Sequence, residues 1–171
     1  MFPKENTYPS YYTHYFNLIE EKNVIEALEN DLKQSKQFIT SIPIDKINFA
    51  YDKDKWTIKQ VLQHIIDCER TLAFRALHIA RKDKQILQPF NEDDYAANAE
   101  LNQLTINDIL NDFDASRKNT IGLFKSFTNL NLVEIGKVGS YEITPLSIGY
   151  FISGHSKHHI NIIKKRYLQQ T

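Results

Sequence analysis

Apolar side chains return at three- and four-residue intervals over most of this 171-residue chain, the spacing of one face of an α-helix. Leu18, Ile19, Ile25, Leu28, Leu32 and Phe38 fall on one such face. They predict a first helix that Ser10 caps and that stops before Pro43, because the residue preceding a proline is pushed out of the helical region. Thr57, with Gln60 three positions on, has the form of a capping box and opens a second helix running to about Ala80. The pattern then lapses: residues 81–104 mix Pro89 with acids and amides, as expected of a long connection holding one short helix. Thr105 starts a third helix carrying Ile109, Leu110, Phe113, Ile121, Leu123 and Phe124. In residues 132–143, Gly136 and Gly139 lie among Val133, Ile135, Tyr141 and Ile143, which predicts a short β-hairpin. Thr144-Pro145 supplies a cap and a proline at the first helical position for a last helix reaching about Leu168. The sum is an all-α protein: a four-helix bundle with a long crossover connection and a short β-hairpin before the last helix, forming a single domain over residues 1–171.

Composition changes little in this picture. Hydrophobic residues make up 42% and charged residues 25%, as in ordinary globular domains. Lys plus Arg equals Asp plus Glu at 21 each, so no overall field attracts nucleic acid or an anionic membrane, and neither is expected as a partner. The lone Cys68 rules out an intramolecular disulfide. The polar start (Met1-Phe2-Pro3-Lys4-Glu5-Asn6) and the lack of any run near 20 apolar residues predict a cytoplasmic protein.

Three histidines carry the chemistry. His155 and His159 are four residues apart, one turn of the same helix face, which suits two ligands of a transition metal. With about 100° per residue, Ile148, Phe151, Ile152, Ile162 and Ile163 share that face, so both imidazoles point into the core. His158 lies at its edge, as a residue that supports the ligand pair from behind or one that stands at the rim. On the second helix Val61, Cys68, Leu72 and Ile79 share the face of His64, with Arg75 near its centre. A metal centre competes here with a hydrogen-bonded histidine core, since a buried polar group must find some partner. The glutamate base of H-E-x-x-H zinc proteases is absent, because Ser156 and Lys157 follow His155.

Residues 56–67, beginning Trp56-Thr57-Ile58 and containing His64, resemble the first signature of the DinB/YfiT-like superfamily. Gly154-His155 with His158-His159-Ile160 resembles its second. Glu69-Arg70, Phe74-Arg75-Ala76-Leu77 and Pro89-Phe90 with Asp93 and Tyr95 also fit the family pattern, and the likeness runs from about Tyr8 to Leu168. The resemblance implies that His64, His155 and His159 bind a divalent transition ion, zinc or nickel, and that the chain pairs as a homodimer. It also implies an activity on a small-molecule substrate: metal-dependent hydrolysis, or transfer of a low-molecular-weight thiol. The alternative is a non-catalytic metal- or ligand-binding stress-response protein.

Several further residues are candidates for the site. Asp67, one turn after His64, orients an imidazole or accepts a proton, or is a solvated carboxylate. Arg75 binds an anionic substrate group, or forms an ion pair inside the bundle. Cys68 is a fourth ligand or, by the usual behaviour of a lone cysteine on an apolar stripe, core packing. Phe90, Asp93 and Tyr95 line the site's mouth with substrate contacts, or pin the connection. Tyr8, Tyr11, Tyr12, Tyr15 and Phe16 form a subunit interface, or pack the first helix against the loop. His14 and His78 are surface or hydrogen-bonding residues. An ordinary imidazole pKa would release the ion below about pH 6.

Overall fold

A computed structural model describes residues 1–169. Four long helices, α2 (Val24–Ser41), α3 (Ile58–Ala80), α5 (Ile106–Lys125) and α7 (Pro145–Ile162), build the bundle. Three short ones, α1 (Tyr12–Phe16), α4 (Glu92–Asn98) and α6 (Asn129–Leu132), dress it. No described helix is long and apolar enough to cross a membrane.

The caps foreseen at Thr57 and Thr144 are in place. Thr57 Oγ1 accepts from Gln60 N while Gln60 Oε1 accepts from Thr57 N, and Thr144 caps α7 with Pro145 at its start. The predicted first helix is instead two. Asn23, extended at φ −121°, takes the Ile25 and Glu26 amides on its side chain and starts α2 afresh, while α1 ends at Phe16. Ile19 stays buried across the break, so the apolar pattern gave no sign of it. The residue before α1 is Tyr11, without a side-chain cap, in place of Ser10.

Around the bundle the neighbours are α2–α5, α5–α3, α3–α7 and α7–α2. Contacts fix their directions. Lys59 at the start of α3 meets Leu101 and Leu104 just before α5, and Glu69 midway along α3 meets Arg117 midway along α5, so α3 and α5 run parallel. Val24 abuts Gly149 and Ser35 meets Ser156, so α2 and α7 also run parallel. Lys125 pairs with Glu29 and Lys36 with Asp114, making α2 and α5 antiparallel. The connection from α3 to α5 must therefore return the whole length of α3, which is the crossover. Lys59 Nζ at the start of α3 donates to the carbonyls of Leu101 (3.2 Å) and Leu104 (2.9 Å) and ties down its far end.

The hairpin pairs β1 (Gly136–Val138) with β2 (Tyr141–Ile143) around a two-residue turn, where Gly139 takes φ +56° as a type II′ turn requires. The crossover is clipped to it: Leu87 N donates to Lys137 O, and Gly139 N donates to Leu87 O. That clip holds Pro89 and Phe90 over one side of the bundle. At its C-terminal end α7 widens into a π-helical turn, Ile163–Tyr167, from which Tyr167 OH donates to Trp56 O at 2.8 Å.

Two apolar clusters fill the interior. One gathers Leu28, Leu72, Phe124 and Tyr150; the other gathers Ile39, Leu62, Phe113 and Ile163. A buried polar layer holds Asp31 of α2, Glu69 of α3, Arg117 of α5 and Ser156 of α7. Arg117 Nε donates to Glu69 Oε1 at 2.8 Å and Oε2 at 3.0 Å, and its Nη1 donates to Asp31 Oδ2 at 2.5 Å. Ser35 joins Asp31 to Ser156, the residue after His155.

Candidate metal centre

α3 and α7 run antiparallel and bring His64 against His155 and His159. His155 Nε2 lies 3.1 Å from His64 Nε2 and 3.0 Å from His159 Nε2, and the ligand atoms of all three lie within 4.8 Å of one another. Nitrogens bound tetrahedrally at about 2.0–2.1 Å from zinc stand roughly 3.3 Å apart. The two spacings to His155, 3.0 and 3.1 Å, fall slightly short of that figure. A hydrogen-bonded histidine core would pair these nitrogens with carbonyls or hydroxyls, yet among the described residues the three Nε2 atoms meet one another and the Cys68 sulfur.

The imidazoles are neutral, as ligation demands. Burial pulls His64 down to about 4, against the opposing charge of Asp93. Burial, then His64 and His158, pulls His159 down to about 3. Burial and the neighbouring histidines hold His155 well below the ordinary value. Three uncharged donors on one point fit a divalent ion and leave a coordination position free for a small molecule.

A pocket of about 400 Å³ opens on the triad. On α3, His64, Cys68, Leu72 and Arg75 descend one wall. Tyr11, Tyr12 and Tyr15 from the α1 region form another with Phe151, and Phe90, Val138 and Tyr141 come from the clipped crossover and hairpin. Trp56 completes it, its ring centroid 4.8 Å from that of His64. The tyrosine cluster is thus pocket wall and core within one chain: Tyr12 and Phe16 are buried, and the Tyr12 ring stacks on Phe151 at 3.9 Å.

The other candidate residues divide. Arg75 and Phe90 line the pocket, with the guanidinium 5.5 Å from the Phe90 ring centroid. Asp93 lines a separate cleft behind Trp56 and His159. Tyr95 is exposed, supports Phe90 from outside with ring centroids 4.9 Å apart, and borders a groove that also holds Asp67. Asp67 points away from the triad, its carboxylate accepting from Gln63 Nε2 at 3.0 Å, with Arg70 3.8 Å away. Cys68 Sγ lies 3.6 Å from His64 Nδ1, and burial pushes its thiol up to about 12, so it behaves as core. His158 pairs with His14 at 3.2 Å on the rim, and His78 holds Gln85 O at 3.1 Å. Glu92 lines the pocket without having been singled out from sequence.

The model of the DinB superfamily matches residues 27–163, most of the chain. The chain belongs to that superfamily. Two relatives match most of this DinB chain. A Geobacillus thermodenitrificans (strain NG80-2) protein, named "Putative metal-dependent hydrolase", is 23% identical over 146 residues, covering 84% of this chain and 82% of the relative. A protein of Geobacillus kaustophilus (strain HTA426) with the same description is 24% identical over 139 residues, covering 79% and 75%. Among solved structures, YfiT from Bacillus subtilis superposes with a TM-score of 0.75 over 100% of this chain and 95% of its own, at 16% identity. It is described as a "probable metal-dependent hydrolase with an unusual four-helix bundle topology". The superposition shows that the two chains share a four-helix fold.

Proposed function

We propose that this DinB-superfamily chain is a metal-dependent hydrolase of a small organic molecule, with His64, His155 and His159 holding one zinc or nickel ion. The observation that carries the reading is the convergence of three neutral Nε2 atoms at the floor of an apolar-walled pocket. A divalent ion held there supplies Lewis acidity and a nucleophile at neutral pH by lowering the pKa of water. The protein's own part is shape and dryness. Tyr12, Phe151 and Trp56 crowd water away from the imidazoles, and Arg75 offers a positive charge farther along α3. The relatives' names point the same way.

Transfer of a low-molecular-weight thiol is the second reading. It is favoured by one observation: among the described residues no carboxylate touches the triad to act as base. A thiol gives up its proton far more readily than water and needs such a base less. Cys68, protonated and buried, cannot be the thiol, so it would come from a cosubstrate.

Metal content of the full chain, purified without an affinity tag, should be about one ion per chain and should vanish in His155→Ala. The loaded protein is then offered aryl esters, lactones and amides, and separately an electrophile with a thiol. Turnover of the first group that depends on His155 supports hydrolysis, and turnover only with thiol supports transfer. A stoichiometric ion with no turnover in either panel would overturn both in favour of a binding protein.

A further inference from the structure

The bundle buries two arginines and gives a counter-charge to only one of them. Arg117 is fully enclosed and bracketed by Asp31 and Glu69. Arg75, only 8% exposed, has no carboxylate within ion-pair distance among the described residues. Its one hydrogen bond there goes from Nη2 to the Gln88 carbonyl at 2.7 Å, and Phe90 lies against the guanidinium. A guanidinium carries five N–H donors in a fork that matches a carboxylate, so four of them lack a protein acceptor. These donors are not sealed in the interior but border a pocket, where an anionic group can meet them.

Arg75 lies on the wall of the same pocket whose floor is the histidine triad. We propose that this pocket takes a small organic monocarboxylate, with Arg75 binding the carboxylate and the aromatic walls holding an apolar body that extends toward the histidines. The inference rests on the reading of this pocket as the substrate site and names its substrate class. Three observations shape the ligand. Eleven residues of helix separate His64 from Arg75, about 16 Å between their Cα atoms, so the reacting group and the anion belong at opposite ends of an elongated molecule. Tyr11, Tyr12, Phe90, Tyr141 and Phe151 suit an aromatic or alkyl body between them. Glu92 lines the same pocket as Arg75, which opposes a second negative charge and favours a monoanion over a phosphate dianion.

The chain's single tryptophan, Trp56, lines this pocket, so its fluorescence reports occupancy. The metal-loaded full chain is titrated with 4-phenylbutyrate and with its uncharged analogue 4-phenylbutyramide, and metal content is measured on the same samples. Wild type should prefer the acid by about tenfold or more, the range of a charge-assisted pair. Arg75→Gln should lose the preference while keeping the amide's affinity, and Arg75→Lys should keep part of it. Equal binding of acid and amide by wild type overturns the proposal. So does a preference that survives in Arg75→Gln, since the carboxylate would then be binding the metal. Thermal unfolding guards against a merely structural role: Arg75→Gln should melt no lower than wild type, and a fall as large as that of Arg117→Gln would make Arg75 a structural residue. Absence of metal with the acid preference intact would sink the hydrolase reading and leave this one standing.

Discussion

A Cβ atom on Gly154 would stand 2.5 Å from the carbonyl oxygen of Tyr15. Glycine at this position lets α1 press onto α7 one residue before the candidate ligand His155. Tyr15 belongs to the pocket wall, so the close helix crossing and the enclosure of the site are one feature. Gly154→Ala should push α1 outward and destabilise the fold by about 1–3 kcal/mol, as overpacking does. Trp56 emission should shift to the red as water enters. Denaturant unfolding and emission spectra check both effects, and an unchanged stability would mean that α1 yields without cost.

The Arg117 cluster is a structural keystone with a link to the site. Burial raises the Asp31 pKa against the pull of Arg117, while Glu69 and Asp31 hold the guanidinium above its ordinary pKa despite its burial. Arg117→Met leaves two carboxylates enclosed without a cation and should cost about 3–5 kcal/mol. Because Asp31 reaches Ser156 through Ser35, metal affinity should also fall. Unfolding in urea and metal titration test this, and a stable variant with full affinity would contradict it.

Acid acts on the ligands in a direction set by burial. In the unfolded chain each imidazole ionises near 6.5, whereas in the metal-free folded protein His64 stays neutral to about 4 and His159 to about 3. Between those limits the unfolded state holds more protons, so the metal-free protein loses stability as pH falls below about 6.5. His64 alone contributes on the order of 3 kcal/mol by pH 4. The same depression keeps the lone pairs free at pH 5. Release of the ion therefore moves from the pH 6 expected of ordinary imidazoles toward pH 4. Melting in chelator from pH 7 to 5, with metal retention after dialysis at pH 5, measures both. A flat melting profile or loss of the ion at pH 6 would refute the account.

Helical phase made His64, His155 and His159 legible because regular helices carry all three, and phase persists along a helix. It also placed Arg75 and Cys68 on the His64 face, where both line the pocket. It failed where the chain leaves regularity. Asn23 restarts a helix whose apolar spacing continues across the break, so Ser10 was mistaken for the cap of one long helix. Asp67 is one turn from His64 and only about 60° off it round the helix, so phase could not separate them; the carboxylate instead turns to Gln63 and Arg70. Arg117 stayed hidden because its partners, Asp31 and Glu69, lie on two other helices, and pairing across helices leaves no local pattern. The wall formed by Tyr11, Tyr12 and Tyr15 depends on how α1 docks, which composition does not reveal.

Cys68 decides whether the ion keeps a free position. Its sulfur lies 3.6 Å from Nδ1 and 3.7 Å from Nε2 of His64, beside the ring, and it is not part of the group in which the three imidazoles converge. Burial leads in pushing the thiol up to about 12, with Glu92 and Asp67 adding to it, so the thiolate needed for ligation is disfavoured throughout the neutral range. Cys68→Ser should therefore retain about one ion per chain with affinity within a fewfold of wild type, and the native thiol should react slowly with Ellman's reagent at pH 8. His159→Ala should lose the ion, while His14→Ala, which alters only the rim pair with His158, should keep it. Loss of metal in Cys68→Ser would make sulfur a fourth ligand, close the coordination shell and remove the position at which a substrate is to react.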